Sequence, residues 1–209
     1  MVPEPAALPL RRLPRQTLHH AWAPKLGRTI VLSGAGQLRL WAMLEAHPGV
    51  TRYCERPSWP DDEEPSLCPD FWALRDGTPV WLALAEAPVS GDEVLSSAES
   101  PRVQVVPAEE LDRHRVWIGN WLSLLPYLST SAWLGLEALS EPVAEFFRQE
   151  ASFDDAERHF VRFDPVLVRT AVVAGLHRGK LYSGDLLVRP WDRQTRMVRC
   201  SGAASHAPQ

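Results

Sequence analysis

Two short apolar runs joined by an Asp-Gly pair constrain the fold of this chain more than any other stretch. The first run, residues 71–74, follows Pro69-Asp70, and the second run covers residues 80–85. Between them lies Asp76-Gly77, and such a pair suits a tight hairpin because glycine takes a positive φ without steric cost. The sequence therefore predicts two adjacent antiparallel strands, with Asp70 at the start of the first.

Composition restricts the class of protein. A chain of 209 residues with 45% hydrophobic content can bury the core of one domain or of two small ones. Its three cysteines, Cys54, Cys68 and Cys200, form no CxxC pair, which argues against a disulfide scaffold or a structural zinc site. No apolar run approaches the roughly 20 residues that span a bilayer. We therefore expect a soluble, cytoplasmic protein with no targeting signal and no membrane partner.

Helix and strand patterns place the hairpin in an α/β layer. A helix over residues 34–46, with Ser33 as its N-cap, is stopped by a His-Pro-Gly run and followed by a strand at 50–54. After the hairpin, residues 103–106 alternate like a strand, and a further helix starts with acidic residues in its first turn. This order predicts a mixed sheet flanked by helices over residues 28–115.

The second half of the sequence is helical and ends in a basic segment. Amphipathic patterns predict helices at residues 117–128, 142–150, 153–163 and 165–177. Residues 181–188 and 195–200 are then predicted to form a hairpin around Pro190-Trp191-Asp192-Arg193. Helices followed by such a hairpin predict a winged-helix-like domain. The predicted organisation is an extended basic arm at 1–27, an α/β domain at 28–115, this second domain at 116–200, and a disordered tail at 201–209.

Charge is distributed unevenly along the chain. Residues 1–40 carry six Lys/Arg against one acid, residues 158–199 carry nine against three, and residues 41–157 carry seven against twenty-two. Basic ends suggest an anionic partner, although a solvated surface without a partner gives the same pattern. The predicted DNA contacts are the cations of the basic hairpin, namely Lys180, Arg189, Arg193, Arg196 and Arg199. The alternative is a charged hairpin on a protein-docking domain.

Several short motifs, in order and spacing, resemble a known family. They are Ser33, the run Leu44 to Val50, the run Tyr53 to Pro57, Pro69-Asp70-Phe71, Asp76-Gly77, Glu109-Glu110-Leu111 and Asn120. Together, over about residues 28–130, they look like TnsA-type endonucleases, the subunits of heteromeric transposases that cut the 5′ ends of the transposon. The resemblance implies a PD-(D/E)xK restriction-endonuclease-like fold. It also implies DNA, a DDE transposase and an AAA+ ATPase as partners.

The chemistry that the resemblance implies is largely missing. In the family, the Asp of the first strand and a carboxylate of the second hold Mg²⁺, and a Lys positions the attacking water. Asp70 remains as a remnant, but Gln37 stands where the family has a catalytic Glu. The Glu/Gln-x-Lys positions match Ala83-Leu84-Ala85, which offer neither ligand nor cation. The resemblance therefore predicts a catalytically inactive protein that binds DNA, scaffolds a transposition-type complex, or does both, without a cofactor.

Two alternatives remain open from the residues. The first is an active Mg²⁺-dependent endonuclease with displaced ligands, in which Asp70 and Glu86, with Glu55, hold the metal. Glu86 lies an odd number of residues from Ala83, so strand alternation turns it to the opposite face unless a bulge intervenes. The second alternative is an interaction module without any role on nucleic acid.

Overall fold

The computed structural model describes residues 4–10, 16–59, 68–85, 103–129 and 136–200. Within these ranges the chain is a mixed α/β protein with nine strands and seven helices. It divides into two compact units, unit 1 (Met1–Leu44 and Gly49–Arg113) and unit 2 (Glu45–Pro48 and His114–Gln209). Two of the predictions above, a metal ligand at Glu86 and a disordered tail at 201–209, fall outside the described residues.

A four-stranded mixed sheet forms the centre of unit 1. In order across the sheet, its strands are β3 (Val50–Glu55), β4 (Phe71–Arg75), β5 (Thr78–Ala85) and β6 (Val103–Pro107). The first three are antiparallel, and β6 runs parallel to β5. Asp76 and Gly77 between β4 and β5 have φ angles of 51° and 77°. The predicted hairpin is confirmed, with the positive φ values that a tight turn of this hand requires.

One face of this sheet is closed by a row of large side chains. Cys54, Trp72, Trp81 and Val103 lie directly opposite one another across all four strands, so they share one face. Cys54, Trp72 and Trp81 are buried together there. The other face carries Tyr53, whose hydroxyl accepts a hydrogen bond of 2.7 Å from Trp41 Nε1.

The helix that supplies Trp41 is α1 (Gly34–Ala46), and it has the predicted bounds. The predicted N-cap role of Ser33 is wrong, because Ser33 Oγ is buried and has no hydrogen-bond partner among the described residues. Instead, the helix begins at Gly34, which follows directly on the strand β2 (Arg28–Ser33) and has a φ of 75°, a conformation that glycine adopts without steric cost. The short α2 (Ala108–Arg113) follows β6, as predicted.

The sequence prediction of an extended arm over residues 1–27 needs correction. Residues 18–23 form β1 (Leu18–Ala23), which pairs antiparallel with β2 (Arg28–Ser33). Ala23 on β1 and Ile30 and Leu32 on β2 are buried. The proline-rich residues around β1 hid this short apolar alternation, which only pairing with β2 makes stable.

Unit 2 is built from five helices and three short strands among the described residues. The helices are α3 (Arg115–Ser129), α4 (Glu137–Phe146), α5 (Phe153–His159), α6 (Pro165–His177) and α7 (Asp185–Val188). The strands, in sheet order, are β7 (Ala151–Ser152), β9 (Arg196–Arg199) and β8 (Leu181–Tyr182). The prediction for α6 is confirmed, including its N-cap, where Asp164 accepts a hydrogen bond from the Val166 N–H.

Three predictions in unit 2 are wrong in their bounds or type. The helix expected at 153–163 ends at His159. The helix expected at 142–150 runs from Glu137 to Phe146 and contains Pro142 in its interior. Its buried face, which includes Leu139, Val143 and Ala144, keeps the helix together despite the hydrogen bond that proline cannot donate.

The predicted hairpin of residues 181–188 with 195–200 is only partly present. Leu181 and Tyr182 pair with the end of β9, but the residues from Asp185 to Val188 form α7. Leu186 on α7 is 2% exposed. Burial of this side chain and the bond from the Arg189 N–H to the Asp185 carbonyl favour a helical turn over a continued strand.

Asn120 on α3 holds α7 and the following loop in place. The side chain is 4% exposed, its Nδ2 donates to the carbonyls of Leu186 and Arg189 at 2.8 Å each, and its Oδ1 accepts from the Trp191 N–H at 2.8 Å. One amide therefore pairs three backbone groups that would otherwise be left without partners. Asn is well suited to this position because it offers donors and an acceptor together.

We expect Asn120→Ala to lower the free energy of unfolding by about 2–4 kcal/mol, because it leaves these backbone groups unpaired. Ser123→Ala on an exposed position of the same helix is the matched control and should change stability by less than about 0.5 kcal/mol. Chemical denaturation followed by circular dichroism measures both. Equal stability of the two variants would show that the Asn120 bonds do not hold the loop.

Candidate functional site

Asp70 lies at the end of the sheet in unit 1, immediately before β4. Its N–H donates to the Leu82 carbonyl on β5 at 2.8 Å, and its own carbonyl accepts from the Arg56 N–H after β3 at 2.8 Å. The backbone of Asp70 is thus fixed between its two neighbouring strands. The carboxylate is half-buried.

Both oxygens of the Asp70 carboxylate accept hydrogen bonds from within unit 1. Gln37 Nε2 on α1 donates to Oδ1 at 2.6 Å, and the Leu84 N–H on β5 donates to Oδ2 at 2.7 Å. Gln37 is itself oriented, because its Oε1 accepts a bond of 2.8 Å from the Ser33 N–H. The amide cannot turn its oxygen towards Asp70 without breaking that bond.

The residues around Asp70 do not fit the Mg²⁺ that the family resemblance implies. Mg²⁺ requires oxygen ligands in a nearly octahedral arrangement. Gln37 presents an N–H group to Asp70, and an amide N–H is a donor that cannot bind a cation. The amide and the Leu84 N–H instead stabilise the carboxylate by hydrogen bonds. The arrangement satisfies the charge of Asp70 without a metal.

The second strand also differs from the arrangement expected from the sequence. Leu84 faces α1, since a Cβ placed on Gly36 would lie 3.2 Å from Leu84 Cδ1. Strand alternation then turns Ala83 and Ala85 to the opposite face, with Trp81. The positions matched to the Glu/Gln-x-Lys motif therefore point away from α1. Two backbone groups at the site were missed by sequence analysis, the N–H groups of Leu84 and Ser33, because no side-chain pattern reveals a backbone donor.

Glu55, the third carboxylate of the displaced metal site, is already bound to a cation. It is 3% exposed, and Arg28 reaches it with two hydrogen bonds of 2.7 and 2.8 Å. The bond to Glu55 raises the pKa of Arg28 above its ordinary value. Within the part of the chain that the structure describes, no group of three or more His, Cys, Asp or Glu side chains could hold a metal ion. Glu86 lies outside that part.

Other nucleophiles are placed unfavourably. Burial raises the pKa of the Cys54 thiol to about 11, so the reactive thiolate is scarce at neutral pH. His177 in unit 2 is paired with the fully buried Glu45 at 2.8 Å and packs against the Trp121 ring. The burial of Cys54 and the contacts of His177 explain the positions of these two residues without a catalytic role.

The basic residues predicted to contact DNA all lie in unit 2, and each pairs with a carboxylate. Lys180 lies 3.4 Å from Glu141, Arg189 2.6 Å from Asp185, Arg193 2.8 Å from Asp154, Arg196 3.2 Å from Glu150, and Arg199 2.6 Å from Glu145. Most of these partners lie on α4, on α5 or between them. Bonds from Arg189 hold the pKa of Asp185 below its ordinary value, so that carboxylate is charged at neutral pH.

The local surplus of positive charge is therefore balanced by the fold. Residues 136–200 contain ten Lys/Arg and ten Asp/Glu. The surplus counted over 158–199 is offset by the acids between 137 and 157. Exposed ion pairs are worth about 0–1 kcal/mol each, so phosphate groups can replace these carboxylates, but the surface carries no excess charge to attract them.

Comparison with known proteins adds no relatives. No family model matches the chain, and no curated protein matches its sequence. Among the described residues, no helix is both long enough and apolar enough to cross a membrane.

We expect Asp70→Asn to destabilise unit 1 by about 1–3 kcal/mol, because the new amide must direct an N–H group at either Gln37 Nε2 or the Leu84 N–H. Asp76→Asn is the matched control, because this exposed turn residue has a positive φ that Asn also tolerates. Thermal and denaturant unfolding give both values. If Asp70→Asn is as stable as the parent, the carboxylate is not held by these two donors.

The ion pairs of unit 2 give a second expectation. The double variant Glu141→Gln/Glu145→Gln removes the carboxylates that contact Arg199, so duplex DNA should bind several-fold more tightly and with a steeper salt dependence. The control Asp76→Asn/Glu109→Gln makes the same charge change at two exposed positions of unit 1. Fluorescence anisotropy at two salt concentrations measures both. An equal gain in both variants would mean that net charge alone, not Arg199, controls binding.

Proposed function

We propose that this chain is a TnsA-like protein of the PD-(D/E)xK type that has lost cleavage chemistry and serves as a structural component of a transposition-type nucleoprotein complex. Unit 1 is the nuclease-like part in this proposal, and unit 2 is a winged-helix-like part. The partners are those that the resemblance implies, namely DNA, a DDE transposase and an AAA+ ATPase.

The arrangement of unit 1 supports this proposal. A helix precedes the sheet, Asp70 lies at the start of β4, and the next strand, β5, is its hydrogen-bonded neighbour. A PD-(D/E)xK site needs this adjacency, because its carboxylates must converge on one metal ion. Gln37, which the resemblance matches to the family's catalytic Glu, contacts Asp70 from α1, and this contact supports the proposal.

The hydrogen bond between Gln37 and Asp70 is the observation that carries the loss of catalysis. A glutamate at position 37 would place two carboxylates together, an arrangement that a divalent cation stabilises. The Gln37 amide contacts Asp70 without needing a cation. In this proposal the site therefore holds no metal ion that could activate a water molecule. A protein that keeps this fold but not its chemistry has binding and assembly as its remaining roles.

Contact with DNA, in this proposal, comes through exchange of the ion pairs on unit 2. Arg189, Arg193 and Arg196 keep part of their side chains exposed within their ion pairs, so a phosphate competes with a carboxylate for each of them. Such binding is weak on its own and gains strength when partners hold the DNA in place. This mode of binding fits an assembly component better than an enzyme that must find its own site.

The proposal is tested on supercoiled plasmid DNA with Mg²⁺ or Mn²⁺ and on the melting temperature with and without Mn²⁺. We expect the parent to nick no DNA and to show no shift in melting temperature with Mn²⁺. Gln37→Glu should melt lower than the parent without metal, since two like charges lie together. Mn²⁺ should raise the melting temperature of that variant, because the ion binds its folded state.

Gln37→Leu serves as the control, since it removes the hydrogen bond without adding charge and should not respond to Mn²⁺. Metal-dependent nicking by the parent, abolished in Asp70→Asn, would support the alternative of an active endonuclease with displaced ligands and would end the proposal. If Mn²⁺ raises the melting temperature of the parent through Asp70 but the parent does not cut DNA, the conclusion that the residues around Asp70 do not fit a metal ion is wrong.

A further inference from the structure

The N-terminal segment of unit 1, residues 4–10, lies against the chain that follows β3. An isolated antiparallel bridge joins Ala7 to Pro57. The Leu8 N–H donates to the Arg56 carbonyl at 2.8 Å, and the Ser58 N–H donates to the Ala6 carbonyl at 2.7 Å. The segment thus forms a short added strand on residues 56–58.

This segment is held mainly through its backbone. The Ala6 N–H donates to Ser58 Oγ at 3.1 Å, whereas the side chains of Ala6, Ala7 and Leu8 are exposed, Leu8 by 50%. The side chain of Glu4 forms an ion pair with Arg52 at 3.3 Å. Since little apolar area is buried, residues 56–58 recognise the extended backbone more than the identity of its side chains.

Arg56 makes the edge specific for an extended chain. Its Nε donates to the Leu8 carbonyl at 3.1 Å, and its Nη1 donates to the Val31 carbonyl on β2 at 2.6 Å. The residue has a φ of 45°, a conformation that costs energy for a side chain other than glycine. The guanidinium is therefore placed to donate a hydrogen bond to one carbonyl of an incoming strand while it is anchored to β2.

We propose that residues 56–58, with Arg52 and Arg56, form a peptide-binding edge that the chain's own residues 4–10 occupy in cis. The occupant in trans is an extended segment of a partner protein. An acidic residue of that segment lies four positions before the residue whose carbonyl Arg56 binds, and a small residue lies between these two. Exposed edges of this kind pair with added strands, and proteins cover them when they are unoccupied. This proposal stands independently of the proposed function.

The segment in cis acts as a competitor. It is tethered close to the edge, at an effective concentration of order millimolar, so a free peptide must displace it. The apparent affinity for a free peptide equals the intrinsic affinity multiplied by the fraction of molecules in which the edge is open. Loosening the segment without touching residues 56–58 should therefore strengthen binding in trans.

The test uses full-length protein and a fluorescein-labelled peptide with the sequence of residues 1–12. Leu8→Pro removes the N–H that donates to Arg56, because proline has none, whereas Leu8→Ala keeps it. We expect the peptide to bind Leu8→Pro about tenfold more tightly than the parent, with Leu8→Ala like the parent. Ala6→Pro, which removes the donor to Ser58, provides a second loosened variant if Leu8→Pro folds poorly.

Arg56→Lys in the Leu8→Pro background should weaken peptide binding about tenfold while circular dichroism stays unchanged, because a lysine cannot bridge two carbonyls as the guanidinium does. Equal binding by the parent and both loosened variants, or no binding by any, would overturn the proposal. Concentration-dependent dimers of the parent that disappear in Leu8→Pro would also overturn it, because the occupant would then be a second copy.

Discussion

The hydrogen-bonded carboxylate of Asp70 joins the three main elements of unit 1. Asp70 itself lies immediately before β4, one donor comes from α1 through Gln37, and the other is a backbone N–H of β5 at Leu84. A half-buried carboxylate must be compensated by cations or donors, and here two N–H groups of the same unit contribute to that compensation. The site therefore contributes to the packing of α1 on the sheet.

Charge compensation within the protein recurs in unit 2. Arginines on and near β9 and the loop before it pair with acids on α4 and α5, such as Arg199 with Glu145 and Arg193 with Glu157. These two pairs connect parts of the chain that are 54 and 36 residues apart and so help to orient the helices on the small sheet. The same pairs lower the attraction of this surface for phosphates. The ion pairs that stabilise the fold and any contacts with phosphates would therefore use the same guanidinium groups.

These two features change what the chain can be expected to do. In the proposed function, unit 1 is nuclease-like but has little chemistry to offer, because its remaining carboxylate is bonded to an amide. Its recognisable surfaces are then those that bind other chains, by exchange of ion pairs or by backbone pairing at an edge. Arg56 belongs to this second group, since it already joins the N-terminal segment to β2. A role in assembling a complex is consistent with the bonded carboxylate of Asp70, the ion pairs of unit 2 and the backbone pairing beside Arg56.

Local pattern alone was enough for several elements. The Asp76-Gly77 turn, the bounds of α1 and α6, and the strands of the central sheet follow from turn residues, caps and periodicity, which are properties of neighbouring residues. The absence of a carboxylate at position 37 and of a lysine on β5 is likewise a fact of sequence. From these residues and the family resemblance, the sequence predicts a protein without cleavage chemistry.

Tertiary structure decided the partners of these residues. Sequence alone could not show that Gln37 bonds to Asp70, since the two are 33 positions apart, nor that a backbone N–H of Leu84 completes the site. The basic stretch over 158–199 looked free because its acids precede it in the chain, and only folding brings them together. β1 and α7 were missed for the same reason. Their local patterns are weak, and long-range pairing and burial, which no window of neighbouring residues contains, determine their structure.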